Sequence, residues 1–349
     1  MIRYALALLL MTPLLSVAGN KVSLQYTSLS YRGSAYNSFY ALYLDMEERY
    51  TFMEGDLELR LGLNALGILR TSDHFYLFDT ISKSKIAIKS LSLDYYPSSQ
   101  VLLSLGRQSL DTNLLRGSFD GLLVASTMDD FSLKAFYFDH YSILYPTYYK
   151  SADFDKLYGL NFQFSGKVFE SELSYFSYYG HTVHNAYVAA HPGNLTLGAE
   201  YLAFTSDLLY DEKAYKLYLG YRYENFYAEA GYYHVYEGTL RNIFAIGGSE
   251  FKNYRLHGFL DQNDAKNIYL YLQYKQDGFS ANLHFGHTEF NLPFDLAQTY
   301  TGKEFGISLS KRYNDFSISA SILTQKSDML WGVPENRTTW MQTQLTYRF

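Results

Sequence analysis

Apolar and polar residues alternate with period two through most of the chain. Val22, Leu24 and Tyr26 alternate with Ser23, Gln25 and Thr27; Leu57, Leu59, Leu61 and Leu63 alternate with Glu58, Arg60, Gly62 and Asn64. The same holds for Tyr158 to Phe164 and for Tyr215 to Tyr221. It returns in Ile268 to Tyr274, Phe305 to Leu309 and Phe316 to Ile322. Successive side chains of a strand point to opposite faces, so each stretch predicts a strand with one apolar and one polar face. The last residues follow the rule as well. Met341, Leu345, Tyr347 and Phe349 share one face, and Gln342, Gln344, Thr346 and Arg348 the other.

Alternation over about ten residues, repeated this often, is the pattern of a membrane β-barrel. A soluble β-sandwich alternates too, but its solvated face carries dense Lys and Glu, whereas the polar residues here are small and varied. Short polar turns punctuate the strands at Pro97-Ser98-Ser99, Met128-Asp129-Asp130, Ser165-Gly166, Glu224-Asn225, Gln276-Asp277-Gly278 and Tyr313-Asn314-Asp315. Longer connections fall at 70–85, 111–118, 143–155, 238–266, 291–302 and 327–338. Short turns on one side and long loops on the other are the sidedness of such barrels, the short ones facing the periplasm. With both termini on the periplasmic side, the expected fold is all-β: a transmembrane antiparallel up-and-down barrel of about 18 strands, with 16 as the alternative. The stretch 181–191 has the weakest pattern, and 243–260 could add a hairpin.

Composition refines the picture. Residues 1–18 have a basic start (Arg3), an apolar run from Ala5 to Leu15 and small residues at Ser16 and Ala18, so cleavage is expected after Ala18. Residues 19–349 then form one domain. No later apolar run approaches the ~20 residues of a membrane helix, so only strands could span a bilayer. The chain has 37 Tyr and 25 Phe against 2 Trp, and tyrosine suits a strand end at the membrane–water interface. Cysteine is absent, which excludes lipoprotein anchoring and thiolate chemistry. The formal net charge is −6 without a basic stripe, which argues against nucleic acid as a partner.

Leu105-Gly106-Arg107-Gln108-Ser109-Leu110-Asp111-Thr112, followed by Ser118-Phe119-Asp120-Gly121, resembles an element of OprD-like substrate-selective porins of Gram-negative bacteria. In that family the element is Gly-Arg-Gln-x-Leu-x-Thr with a following Phe-Glu-Gly. The resemblance implies that this stretch is the fifth strand, leading to a third external loop that narrows the pore together with the seventh. It also implies an outer-membrane channel for passive uptake of small hydrophilic solutes such as ions, amino acids or carboxylates. The third loop, Asp111 to Ser118, is shorter than the family's and lacks its prolines, and Asp120 stands where Glu is usual. Outer-membrane barrels commonly end in Phe, and their assembly machinery reads the final strand, which makes Tyr347 and Phe349 the expected assembly signal. Further partners are outer-membrane lipid and lipopolysaccharide, with a homotrimer or a monomer as the assembly.

The chemistry of such a barrel lies in lumen-facing charges. Ionisable groups on the inward parity are Asp45, Glu58, Arg60, Lys134, Glu170, Glu172, Glu200, Lys216, Arg222, Glu229, Lys275, Glu304 and Arg312. They line the solute path or neutralise one another in pairs. Arg107 breaks the parity, since it shares the face of Val101, Leu103 and Leu105. Lipid exposure of an arginine at the midplane costs about 2–4 kcal/mol. Either a bulge at Gly106 turns it inward, where Arg116 would extend a basic track, or it lies at the outer rim; the resemblance implies the first, because arginines of that family line the pore, and makes Arg107 and Arg116 expected pore-lining residues. Lys89 sits beside a similar switch, between Ile86/Ile88 and Leu91/Leu93.

Enzymatic and structural or adhesin barrels are the competing classes. A lipase-type barrel needs a His-Ser pair, and a protease-type barrel needs acids with a His on its loops. None of His181, His184, His191, His234, His257, His284 and His287 sits in a nucleophile context. His284 and His287 fall on opposite faces and so do not pair on a metal. No catalytic residue, metal or cofactor is expected.

Overall fold

A computed structural model describes residues 21–31, 35–71, 85–112, 116–145, 148–178, 180–207, 211–238, 263–292, 295–330 and 333–348. They form eighteen strands. The first six are β1 (Lys21–Tyr31), β2 (Ala35–Phe52), β3 (Leu57–Thr71), β4 (Lys85–Ser98), β5 (Val101–Asp111) and β6 (Arg116–Met128). The next six are β7 (Phe131–Tyr145), β8 (Tyr148–Ser165), β9 (Phe169–Tyr178), β10 (His181–Ala190), β11 (Leu195–Ser206) and β12 (Glu212–Tyr223). The last are β13 (Phe226–Glu237), β14 (Asn263–Gln276), β15 (Phe279–Leu292), β16 (Asp295–Tyr313), β17 (Phe316–Leu330) and β18 (Val333–Arg348).

Each strand pairs antiparallel with its chain neighbours. β1 also pairs with β18, Lys21 opposite Arg348 and Tyr31 opposite Thr338, and this contact closes the barrel. The count is therefore 18, the larger of the two expected. Val101–Asp111 is indeed the fifth strand, and the weakly patterned 181–191 is β10. Residues 1–18, 243–260 and Phe349 lie outside the described residues.

The turns near the termini are tight because the sequence supplies residues that accept left-handed backbone. Asp129, Glu224, Asp277 and Asn314 have φ of 47°, 49°, 47° and 48°, as two-residue hairpins between right-twisted strands require. The opposite side departs from expectation. The stretches 143–155, 291–302 and 327–338 are mostly strand: Tyr145 pairs with Tyr148, Leu292 with Asp295 and Leu330 with Val333. Beyond the apolar band both faces of a hairpin meet water. Backbone pairing still satisfies N–H and C=O groups there, but nothing selects alternation, so the strand leaves no periodic trace.

The outward parity is apolar. Leu105 is 62% exposed, Leu160 52%, Leu197 51% and Ile268 64%. The inward parity holds Asp94, Glu172, Glu200, Lys216, Glu229 and Glu304, all buried. A closed sheet leaves no unpaired edge, and an apolar outside around a polar inside is the arrangement a bilayer demands of strands. Aromatic residues bound the band towards the termini: the Phe226 and Tyr274 rings pack at a tilt 4.7 Å apart, and those of Phe316 and Tyr347 4.6 Å apart.

The inner wall is not polar throughout, as the lumen-facing parity had suggested. Phe119, Phe138, Leu157, Phe176, Val183 and Phe204 form a buried apolar cluster that continues through Val235 to Phe290. These inward side chains sit on the halves of the strands remote from the termini. The Phe119 and Phe138 rings are 5.0 Å apart, an aromatic packing distance. The charged belt lies on the other side of this cluster, nearer the termini.

Candidate pore lining

Strands β2 to β4 build one wall of the belt. Arg60 of β3 lies 2.9 Å from Asp94 of β4 and 3.4 Å from Glu58. Ser104 donates to Asp94 at 2.5 Å. Arg49 is 2.9 Å from Glu47, and Lys21 is 2.9 Å from Asp45. Lys89 completes the network, 3.0 Å from Asp45 and 3.3 Å from Glu47. It reaches them through a bulge: Gly62 is opposite Ser90 while Leu63 is opposite Ile88, which leaves Lys89 as the extra residue. The bulge is what lets Ile86 and Ile88 face outward on one parity and Leu91 and Leu93 on the other. Lys21, Arg49, Arg60 and Lys89 thus balance Asp45, Glu47, Glu58 and Asp94.

The wall from β9 to β16 is different. Glu172 accepts from Asn161 at 2.8 Å and Gln163 at 3.1 Å. Glu200 accepts from Asn185 at 2.9 Å and sits in register with Lys216. Lys216, 3% exposed, is 3.6 Å from Glu229, which also accepts from Tyr269 at 2.7 Å and Tyr227 at 2.6 Å. The Lys216 ammonium lies 4.7 Å from the Tyr218 ring and 5.3 Å from that of Tyr269. Tyr187 donates to Glu170, and His284 lies 2.9 Å from Glu304, which takes a further bond from Gln325 at 2.6 Å. Amide and hydroxyl donors bond Glu172, Glu200 and Glu229 without cancelling their charge, while Glu170 and Glu304 each also have an imidazole nearby, His191 at 3.7 Å and His284 at 2.9 Å. Among the described residues in the middle of this wall, Lys216 is the one ammonium facing Glu170, Glu172, Glu200, Glu229 and Glu304. In an 18-stranded ring β3 and β12 are nine strands apart, so the balanced wall and the acidic wall oppose each other across the lumen.

The remaining expected site residues fall in three places. Lys134 of β7 faces inward opposite Asn161. Arg222, Lys275 and Arg312 lie inward beside the short turns, Arg222 5.3 Å from the Tyr227 ring. The side chain of Arg116 lies outside the described residues. Asp94, Glu47 and Arg49 were missed by sequence reasoning, although Asp94 follows Ser90 and Ser92 on the polar parity and that signal was sufficient to find it.

Arg107 requires a correction. No register shift occurs at Gly106: Leu91 opposes Arg107, Ser92 opposes Gly106, and on the other side Asp120 opposes Arg107. Ser104, Gln108 and Leu110 are buried on the inward parity while Leu105 and Ser109 are exposed, so Arg107 stays on the outward parity. The bulge lies two strands further on, where Asp139 is the extra residue of β7. Gly106 adopts φ +112°, and a Cβ there would run into the Leu91 carbonyl. Arg107 therefore occupies the rim alternative. It sits three outward steps above Val101, at the edge of the apolar band, and meets Asp120 in a two-pronged ion pair with Nε to Oδ1 at 2.6 Å.

His284 faces inward and His287 outward, as the parity expected. Among the described residues no group of three or more His, Cys, Asp or Glu side chains could hold a metal ion.

No protein-family model matches the sequence, and no curated protein is similar to it. Solved structures are similar in fold. The crystal structure of Acinetobacter baumannii OccAB1 superposes with a TM-score of 0.76 at 10% identity, over 96% of this chain and 99% of that one. The crystal structure of Pseudomonas aeruginosa OpdO gives 0.74 at 15% identity, over 95% and 96%. Pseudomonas aeruginosa OccK8 (OprE) gives 0.74 at 12% identity, over 95% and 97%. The likeness spans the whole barrel and is one of architecture.

Proposed function

We propose that the chain is an outer-membrane channel, exported through the periplasm, for passive uptake of small hydrophilic solutes, and that its lumen favours cations. The inside-out polarity of the closed barrel requires a lipid environment. The similarity of fold to the Occ and Opd barrels, together with the OprD-like element around Arg107, supports the outer membrane as that environment. The observation that carries the selectivity is the asymmetry of the lumen. One wall balances its own charges, while the facing wall holds Glu172, Glu200, Glu229 and Glu304 with Lys216 as the ammonium among them. A low-dielectric throat in which carboxylates outnumber ammonium groups concentrates cations.

Planar-bilayer recording in a salt gradient tests this. The wild-type reversal potential should report cation preference, and Glu200→Gln with Glu304→Gln should move it towards anions. The shift should be larger in dilute salt, because the screening length falls from ~30 Å at 0.01 M to ~3 Å at 1 M. A reversal potential that stays put in the double variant would leave a general diffusion pore, and a silent bilayer would remove the channel reading.

A further inference from the structure

On the outer face of β15 to β18, His287 is in register with Lys303, Lys303 with Lys326, and Lys326 with Arg337. Directly opposed residues of an antiparallel sheet share a face and lie about 5 Å apart. Three formal cations and an imidazole therefore form one transverse row, and all four side chains are exposed. Like charges set opposite each other destabilise a sheet, so this row costs folding energy.

Three other outward cations of the upper wall are paired within the sheet. Lys213 lies 2.6 Å from Glu237, Lys266 3.1 Å from Asp264, and Arg107 is paired with Asp120. Among the described residues, Lys303, Lys326 and Arg337 have no ion pair or hydrogen bond. Three acids share their face one step further from the termini, Glu289, Asp328 and Glu335. Asp328 is engaged by Thr301, through Oγ1 at 2.5 Å and N–H at 3.2 Å, and Glu289 is in register with Lys266. Neither Asp328 nor Glu289 is within ion-pair distance of the row.

The height of the row identifies its partner. Next below it Phe285 and Phe305 pack at 5.1 Å on β15 and β16, with Thr324 and Thr339 beside them on β17 and β18, and the outward positions continue down β16 through Ile307, Leu309 and Lys311 to Tyr313. At ~3.4 Å per residue and ~40° tilt, Phe305 to Tyr313 spans roughly 20 Å of membrane normal. The row thus sits immediately above the apolar band, where headgroup phosphates begin.

We infer that Lys303, Lys326 and Arg337 form a recognition row for a multiply phosphorylated glycolipid of the outer leaflet, of the lipopolysaccharide type. Three cations spread over ~10 Å exceed what one phosphodiester can engage, so the headgroup must carry more than one phosphate. This rests on the outer-membrane reading proposed above and on the expected orientation, with the ends remote from the termini outside. The partner offsets the repulsion that the sheet alone leaves unbalanced.

Native mass spectrometry of the detergent-purified barrel tests the assignment, with bisphosphorylated lipid A, dephosphorylated lipid A and phosphatidylglycerol as probes. The wild type should retain the bisphosphorylated lipid. Lys303→Gln with Lys326→Gln and Arg337→Gln should lower its affinity about a hundredfold, as the loss of three interfacial cations implies. Lys326→Gln alone, a milder change at the centre of the row, should cost about fivefold. Lys213→Gln should have no effect. Equal retention of bisphosphorylated lipid A by wild type and variants would overturn the row, as would equal binding of the dephosphorylated form. Phosphatidylglycerol binding as tightly, or displacement of the lipid by inorganic phosphate alone, would overturn the glycolipid. Conductance measured on the same preparations keeps the two readings separate, because lipid binding without conductance defeats only the channel and conductance without lipid binding defeats only the row.

Discussion

Lys89 lies 3.0 Å from Asp45, two strands away, because β4 carries it as an extra residue and β3 offers only Gly62 beneath the reach. Backbone register and lumen chemistry are joined at this one pair. The bulge turns the ammonium inward and at the same time restores the outward parity of Ile86 and Ile88.

Deleting Lys89 should therefore do more than remove a charge. It would throw the outer half of β4 onto the wrong face, with Ile86 and Ile88 in the lumen. The expected result is loss of the heat-modifiable folded form on electrophoresis. Lys89→Met keeps the residue count and should fold, but it leaves Asp45 and Glu47 less compensated and should shift the reversal potential further towards cations. Normal folding of the deletion variant would show that the bulge does not set the register.

Arg107 belongs to the rim, and its neutralisation should leave selectivity alone. Arg107→Gln is expected to keep the reversal potential at every salt concentration while lowering barrel stability by roughly 1 kcal/mol, since Asp120 loses a partly exposed partner. Urea unfolding of the refolded barrel reads the stability, and bilayer recording reads the selectivity. A selectivity shift would place the guanidinium in the solute path instead.

The closing strand should govern assembly. Tyr347 packs on Phe316 at 4.6 Å and stands opposite Val22 of β1, so it lies on the seam of the barrel. Removing Phe349, or replacing Tyr347 with Ser, is expected to reduce folded protein in the outer membrane while secretion continues. Folded protein at wild-type levels would disprove the role given to this strand.

Strand existence and the face of most side chains were legible in the chain because lipid imposes a period-two filter on every residue it touches, whereas the number of strands stayed open between 18 and 16. Glu172, Glu200, Lys216, Glu229 and Glu304 could be placed inward on that basis alone. The filter acts on one strand at a time, so it says nothing about which residues of different strands meet. The pairing of Arg60 with Asp94, the extra residues at Lys89 and Asp139, and the row from His287 to Arg337 depend on register, which long-range hydrogen bonding sets. Arg107 was ambiguous for the same reason. A broken alternation signals either a bulge or a change of environment, and only the unbroken pairing through Gly106 decides for the rim. Hairpins beyond the band, such as Tyr145 against Tyr148, left no pattern at all, because water on both faces exerts no choice between them.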